Sequence, residues 1–473
     1  MTTAVVVGSG PNGLAAAIRL AQAGVRVRVL EARETIGGGT RSGERTLPGL
    51  IHDDCSAFHP TGVASPFLRS LGLAEYGLRW RWAPVELAHP LDPGAAGVLW
   101  RDLDRTAGQM PPADARTWRR VFGRLSRRFD RLADDVLRPV LHLPASPLAL
   151  AEFGAQALLP ASWTAGRWSG DQARALFGGA AAHAFSSLRT PFSSAIGLML
   201  IAVGHAHGWP VAEGGSQAIT TAMARLLARL GGTVETGAEV LDLEQLDRPD
   251  LVLLDTGPHA AARILGDRLP PRTARAYRRY RYGPAAFKVD LAVEGGIPWT
   301  DEHCRSAGAV HLGGTFEEVA AAEEATFRGR MPRRPFVLVG QQYLADPSRS
   351  AGDLHPVYAY AHVPHGYRGD ATEAVLDRIE RFAPGFRTRI RARAVRTVAR
   401  LQSENANQVG GDITGGANTA RQLALRPRLS ADPYATGVPG VHLCSAATPP
   451  GAGVHGMAGF HAAESALRWL ASR

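Results

Sequence analysis

Two hydrophobic rhythms follow each other at the start of the chain. Ala4 to Val7 is an apolar run that predicts a strand. After Gly8-Ser9-Gly10-Pro11-Asn12-Gly13 the apolar positions fall at helical spacing to about Gly24, and Val25 to Leu30 predicts a second strand that ends at Glu31. Strand, glycine turn, helix and strand in this order form the βαβ opening of a dinucleotide-binding fold. Gly8 permits the tight turn, Gly10 lets the backbone approach a pyrophosphate, and Gly13 lets the helix pack on the strand. Pro11 and Asn12 begin the helix, whose free N–H groups and positive dipole end suit phosphate. Glu31, with Ala32 beside it, follows Gly13 at the distance expected of the acid that binds a ribose hydroxyl pair. A carboxylate there repels a 2′-phosphate, so NADP is not expected.

Similar patterns recur downstream. Gly214 to Leu230 predicts a helix after a glycine pair, Thr233–Glu235 and Glu239–Leu243 short strands, and Leu251–Leu254 an apolar strand. AAFKVDLAVEGGIPW alternates as a strand and contains Lys288 and Asp290. Near the end come a strand (Val441 to Cys444), a Pro/Gly loop and a helix reaching Leu470. Between 116 and 132, Trp118, Val121, Phe122, Leu125, Phe129 and Leu132 fall on one helical face among arginines. Two readings stand: a helix packing its stripe on the core, which such patterns favour, or a basic amphipathic helix in peripheral contact with a membrane.

Composition narrows the class. A chain of 473 residues exceeds one core and suggests two domains. Its apolar stretches are broken before membrane-span length, and its first strand begins too early for a signal peptide. Cys55, Cys304 and Cys444 are far apart, which suits a reducing, cytoplasmic setting without a disulfide framework or a CxxC pair. No His/Cys/Asp cluster has metal-ligand spacing, so no metal is expected. The net charge of +10 is mixed with 43 dispersed acidic residues, which favours solubility over nucleic-acid binding.

Past Glu31, Gly37-Gly38-Gly39-Thr40-Arg41 forms a second flexible stretch that can return to the same pyrophosphate, with Arg41 directed at phosphate or flavin oxygens. With this element the chain resembles the FAD-dependent oxidoreductases that include phytoene desaturases, retinol saturase and amine oxidases. GWPVAEGGSQAITTAMARLLARLGG, FKVDLAVEGGIPW, NANQVGGDITGG and PPGAGVHGMAGFHAA resemble the phytoene-dehydrogenase-related branch. The resemblance implies FAD as cofactor, contacted by Gly38, Gly39, Thr40 and Arg41. It also implies an adenine contact at Val240. The last helix would start against the flavin ring at Gly453, Val454, His455, Gly456 and Met457. An Asp often precedes that loop in the family; here Ser445-Ala446-Ala447 stands instead.

The implied fold is α/β: a Rossmann-like FAD-binding domain of the amine oxidase/phytoene desaturase type (1–70, 210–285 and 425–473) interleaved with an α+β substrate domain (71–209 and 286–424). Lys288, the single lysine in the sequence, matches the position that places an ammonium beside flavin N5 in the amine-oxidase branch. A solvated strand-end lysine or an ion pair with Asp290 is the plainer reading. Lys288 and His455 are the catalytic candidates. The implied reaction is hydride transfer from a substrate C–H to flavin, on an apolar polyene or isoprenoid, with an amine or secondary metabolite as the alternative. A non-catalytic lipid-binding escort shares this broad fold and is the alternative of another class.

Overall fold

The computed structural model describes residues 1–92 and 94–473. Among these, two larger sheets form. The first is parallel and has five strands in the order Val441–Leu443, Leu251–Leu254, Thr3–Val7, Arg26–Leu30 and Thr233–Glu235. Ala4 to Val7 and Leu251–Leu254 are apolar at successive positions because both faces are covered, whereas Arg26–Leu30 carries arginines between its valines. Ala4, Val6, Val27 and Val29 enter the core shared with helix Pro11–Gln22 and helix Met457–Ala471. Val5, Val7, Leu30, Val252 and Leu254 enter a core on the other face with Ala261, Ile264 and Leu265 of helix Pro258–Leu265.

The glycine turn is built as its spacing requires. Gly8 has φ +104°, a conformation open to glycine and strained for other residues. A Cβ on Gly13 would lie 2.1 Å from the Gly8 carbonyl oxygen, so only hydrogen lets the helix start this close to the strand. The first and last helices meet still more tightly at Gly459, where a Cβ would lie 1.8 Å from the Asn12 carbonyl oxygen.

The second sheet runs Ile390–Arg396, Ala285–Glu294, Leu354–Val363, Val337–Gly340, Ala307–Leu312, Val85–Pro90 and Ala96–Leu99. Its ladders are antiparallel except between Ala307–Leu312 and Val85–Pro90. Phe287, Val289, Leu291 and Val293 pack with Val375, Leu376 and Ile379 of helix Thr372–Phe382. The period of two therefore turns Lys288 and Asp290 to the opposite face.

Three local expectations change. Glu239–Leu243 is not a strand: the Gln245 side chain accepts the amides of Leu241 and Asp242 at 2.6 and 2.8 Å, supplying the acceptors a partner strand would offer. The helix expected from Gly214 starts at Gln217, because Gly214 and Gly215 take φ +76° and +114°. The 116–132 stripe is divided between helices Pro112–Arg127 and Phe129–Val136, and Trp118, Val121, Phe122, Leu125, Phe129 and Leu132 are all buried in the core. That stripe faces protein rather than lipid. Among the described residues no helix is long and apolar enough to cross a membrane.

Candidate functional site

A groove of about 400 Å³ crosses the carboxyl ends of the parallel strands. Gly8 follows the first strand, Glu31 the second and Asp255 the strand Leu251–Leu254; Ser445 lies just past Val441–Leu443, and all four line the groove. This is where an open α/β sheet binds its ligand, because the helices that cover the two faces diverge there.

The structure brings most of the sequence-derived candidates to this groove. Gly8, Gly10, Pro11, Asn12, Glu31, Ala32, Gly38, Gly39, Thr40, Arg41, Val240, Gly453 and Val454 line it. The two glycine clusters pack on each other: a Cβ on Gly38 would lie 3.2 Å from the Gly10 Cα. Gly13, His455, Gly456 and Met457 lie behind the lining. Gly456 is packed on helix Pro11–Gln22, with a virtual Cβ 3.0 Å from that of Ala15, and Met457 is buried in the core.

Glu31 is held by four donors. Its Oε2 accepts the Ser9 amide at 3.0 Å and the Ser9 hydroxyl, and its Oε1 accepts the Arg33 amide at 3.0 Å and Arg41 Nη2 at 3.1 Å. Arg41 Nη2 also donates to the Thr35 carbonyl at 2.9 Å, and the residue lines the groove. Burial lowers the Arg41 pKa, and its pairing with Glu31 opposes that shift. In the first turn of the helix, Pro11 has no N–H, Gly13 donates to Asp255 and Leu14 to Gly10. The Asn12 amide is the donor of that turn left for a ligand.

His455 is buried, and its Nδ1 accepts the Met457 amide at 3.0 Å. It therefore caps the last helix rather than facing the groove. Burial lowers its pKa to about 4, so it is neutral near pH 7. Lys288 does not line the groove either. It is fully buried, its Nζ donates to Asp290, and it lies 4.4 Å from the Tyr358 ring centroid. Burial lowers the Lys288 pKa, while Asp290 opposes that shift. Asp290 also accepts Arg396 Nη1 at 3.0 Å and faces His52 Nδ1 at 3.4 Å. Burial works against the Asp290 charge, but Lys288, His52 and Arg396 together hold its pKa low. Tyr358 connects this cluster to the groove, because its hydroxyl donates to the carbonyl of Cys55, a lining residue.

Several lining residues escaped the sequence reading: Cys55, Asp255, and the segment from Glu404 to Gly415, which belongs to the stretch assigned to the substrate half. Asp255 had a signal, since it is the polar residue that ends an apolar parallel strand. Burial pushes the Cys55 thiol up to about 11, so it is not a thiolate near neutrality. Among the described residues no group of His, Cys, Asp and Glu is placed to hold a metal ion.

Fold and groove define a dinucleotide-binding protein of the Rossmann type. Residues 6–71 match the model of the NAD(P)-binding Rossmann-like domain. The mouse pyridine nucleotide-disulfide oxidoreductase domain-containing protein 2 is 25% identical over 99% of this chain and 93% of its own length. Hydroxyneurosporene desaturase of Cereibacter sphaeroides is 28% identical over 99% of this chain and 98% of its own. A putrescine oxidase crystal structure superposes with a TM-score of 0.62 at 19% identity, covering 99% of both chains. The chain is thus similar over nearly its whole length to proteins named as oxidoreductases and desaturases, and it shares the fold of the putrescine oxidase.

Proposed function

We propose that the groove binds FAD and that the protein dehydrogenates an apolar substrate. The observation that carries this reading is the continuity of the groove. It joins the ribose acid Glu31 and the Gly10–Asn12 turn to Gly453 and Val454, just ahead of the last helix. A ligand that reaches both ends needs an adenosine diphosphate half and a second ring system. An unpartnered buried polar atom supports the fit: Asn12, which lines the groove, has an Oδ1 with no hydrogen-bond partner.

When bound, FAD supplies a hydride acceptor to a substrate C–H. The chain supplies position and charge. Glu31 fits the ribose hydroxyls, the Asn12 amide and helix dipole fit the diphosphate, and the start of helix Met457–Ala471 favours negative charge at the far end. A buried apolar cluster of Ala57, Phe185, Leu338, Tyr358, Tyr360 and Leu401 packs with the lining residue Ile413. Apolar packing behind the groove suits a hydrocarbon substrate such as a polyene or isoprenoid.

The test is spectroscopic. Purified protein is expected to be yellow with FAD released on denaturation, and anaerobic titration with a polyene panel is expected to bleach it. Bleaching by amines alone would replace the substrate class. A colourless protein that cannot be reconstituted with FAD would favour a lipid-binding escort.

A further inference from the structure

Asp255 ends the strand Leu251–Leu254 and lines the groove. Its Oδ2 accepts the Gly13 amide at 3.0 Å, and its carbonyl accepts Asn407 Nδ2 at 2.9 Å. The carboxyl sits directly under the glycine turn. A Cβ on Gly10 would lie 2.7 Å from Oδ2, one on Gly13 would lie 3.1 Å from Oδ2, and one on Gly8 would lie 3.1 Å from the Asp255 Cβ. The three glycines therefore make room for a carboxyl as well as for a phosphate.

The elements around this carboxyl bring little positive charge. The first turn of helix Pro11–Gln22 offers amides. Strand Arg26–Leu30 leads into Glu31, a second carboxylate, and Arg41 is paired with that residue. Past strand Val441–Leu443 lies Cys444, a buried thiol. Arg263 of helix Pro258–Leu265 also lines the groove. Among the described residues no arginine, lysine or histidine forms an ion pair with Asp255, whereas the buried Asp53 and Asp290 both have one. Burial raises the Asp255 pKa to about 7; the Gly13 amide opposes the shift and Glu31 adds to it.

We propose that Asp255 couples dinucleotide binding to proton uptake: a diphosphate seated on the glycine turn requires a neutral Asp255, so affinity falls as alkaline conditions ionise it. The proposal rests on the dinucleotide reading of the groove. The neutral carboxyl still accepts the Gly13 amide and gains an O–H to donate to the ligand. The ionised form would instead set a charge beside Glu31 and two phosphates in a poorly solvated groove. Below the pKa of the free protein the proton is already present, and affinity is flat. Above it, one proton must be taken up, and the dissociation constant rises by up to about tenfold per pH unit.

The experiment measures binding of FAD and of ADP-ribose to the apoprotein from about pH 6 to pH 9, with calorimetry in two buffers of different ionisation heat. Both ligands carry a diphosphate diester that keeps one charge state over this range. The expected results are weakening above neutrality and uptake of close to one proton at the alkaline end for both ligands. Asp255→Asn, which keeps an acceptor for Gly13, is expected to bind with a flat profile and without uptake. Calorimetry on the unaltered chain decides the matter even if that variant fails to fold. Tight binding of both ligands with no pH dependence and no proton uptake overturns the role of Asp255 and leaves the dinucleotide reading intact. Failure of both ligands to bind at any pH overturns that reading and this inference with it.

Discussion

Gly459→Ala pits helix propensity against tertiary packing, and the two predict opposite signs. Gly459 lies inside helix Met457–Ala471, where Ala is favoured over Gly by about 1 kcal/mol. Yet its Cβ would lie 1.8 Å from the Asn12 carbonyl oxygen and 2.9 Å from the Ala16 amide nitrogen, both in the backbone of helix Pro11–Gln22. To restore even 3.0 Å, the helices must separate by 1.2 Å at this crossing. Neither partner atom can rotate away, so the shift must be shared by two buried helices. Overpacking of this kind costs about 1–3 kcal/mol beyond the propensity gain. The two helix starts flank the groove, so the same shift is expected to weaken FAD binding at least about tenfold. Urea denaturation of the apoprotein measures the first effect and fluorescence titration the second. Gly154→Ala is the control: it lies in helix Pro147–Ala157 with nothing within 4 Å of its virtual Cβ, and is expected to be stabilising. A Gly459→Ala protein as stable as the parent, with unchanged affinity, would refute the close crossing of first and last helices.

Two further outcomes follow from the buried charges. Burial lowers the pKa values of His59, His89, His205, His442, His455 and His461 to about 4, below the unfolded value of about 6.5. The unfolded chain therefore binds more protons as pH falls through that window, so the urea midpoint should drop steadily from about pH 6.5 to pH 4; a midpoint unchanged between pH 7 and pH 5 would count against the burial of these rings. Lys288→Met should lower stability by about 1–3 kcal/mol, because Asp290 keeps only Arg396 and His52. Since the ammonium is engaged with Asp290, reoxidation of reduced flavin by oxygen is expected to hold its rate; a fall of about tenfold or more in stopped flow would return Lys288 to the flavin.

The parts of this protein that local rules govern were legible in its sequence. The Gly8–Gly13 turn, Glu31 at the end of its strand and the parallel runs Ala4–Val7 and Leu251–Leu254 follow from steric limits on glycine and from continuous burial, both of which leave a mark in adjacent residues. The strand carrying Lys288 was legible as well, because its period of two is local. Other features depended on residues that are not adjacent in the chain. Arg41 pairs with the buried Glu31, ten positions earlier in the chain. Lys288 lost its solvent to the Asp290–Arg396 cluster, and His455 became a helix cap. Asp255 reached the underside of a turn some 242 positions away. Glu239–Leu243 failed as a strand because a side chain met its amides first. The sequence alone determined the glycine turn and the strand-end acid that would meet a dinucleotide, since spacing along one segment is enough for that. Only the tertiary structure decided which of those groups remain free to meet it, because desolvation and pairing are settled by neighbours that sequence distance conceals.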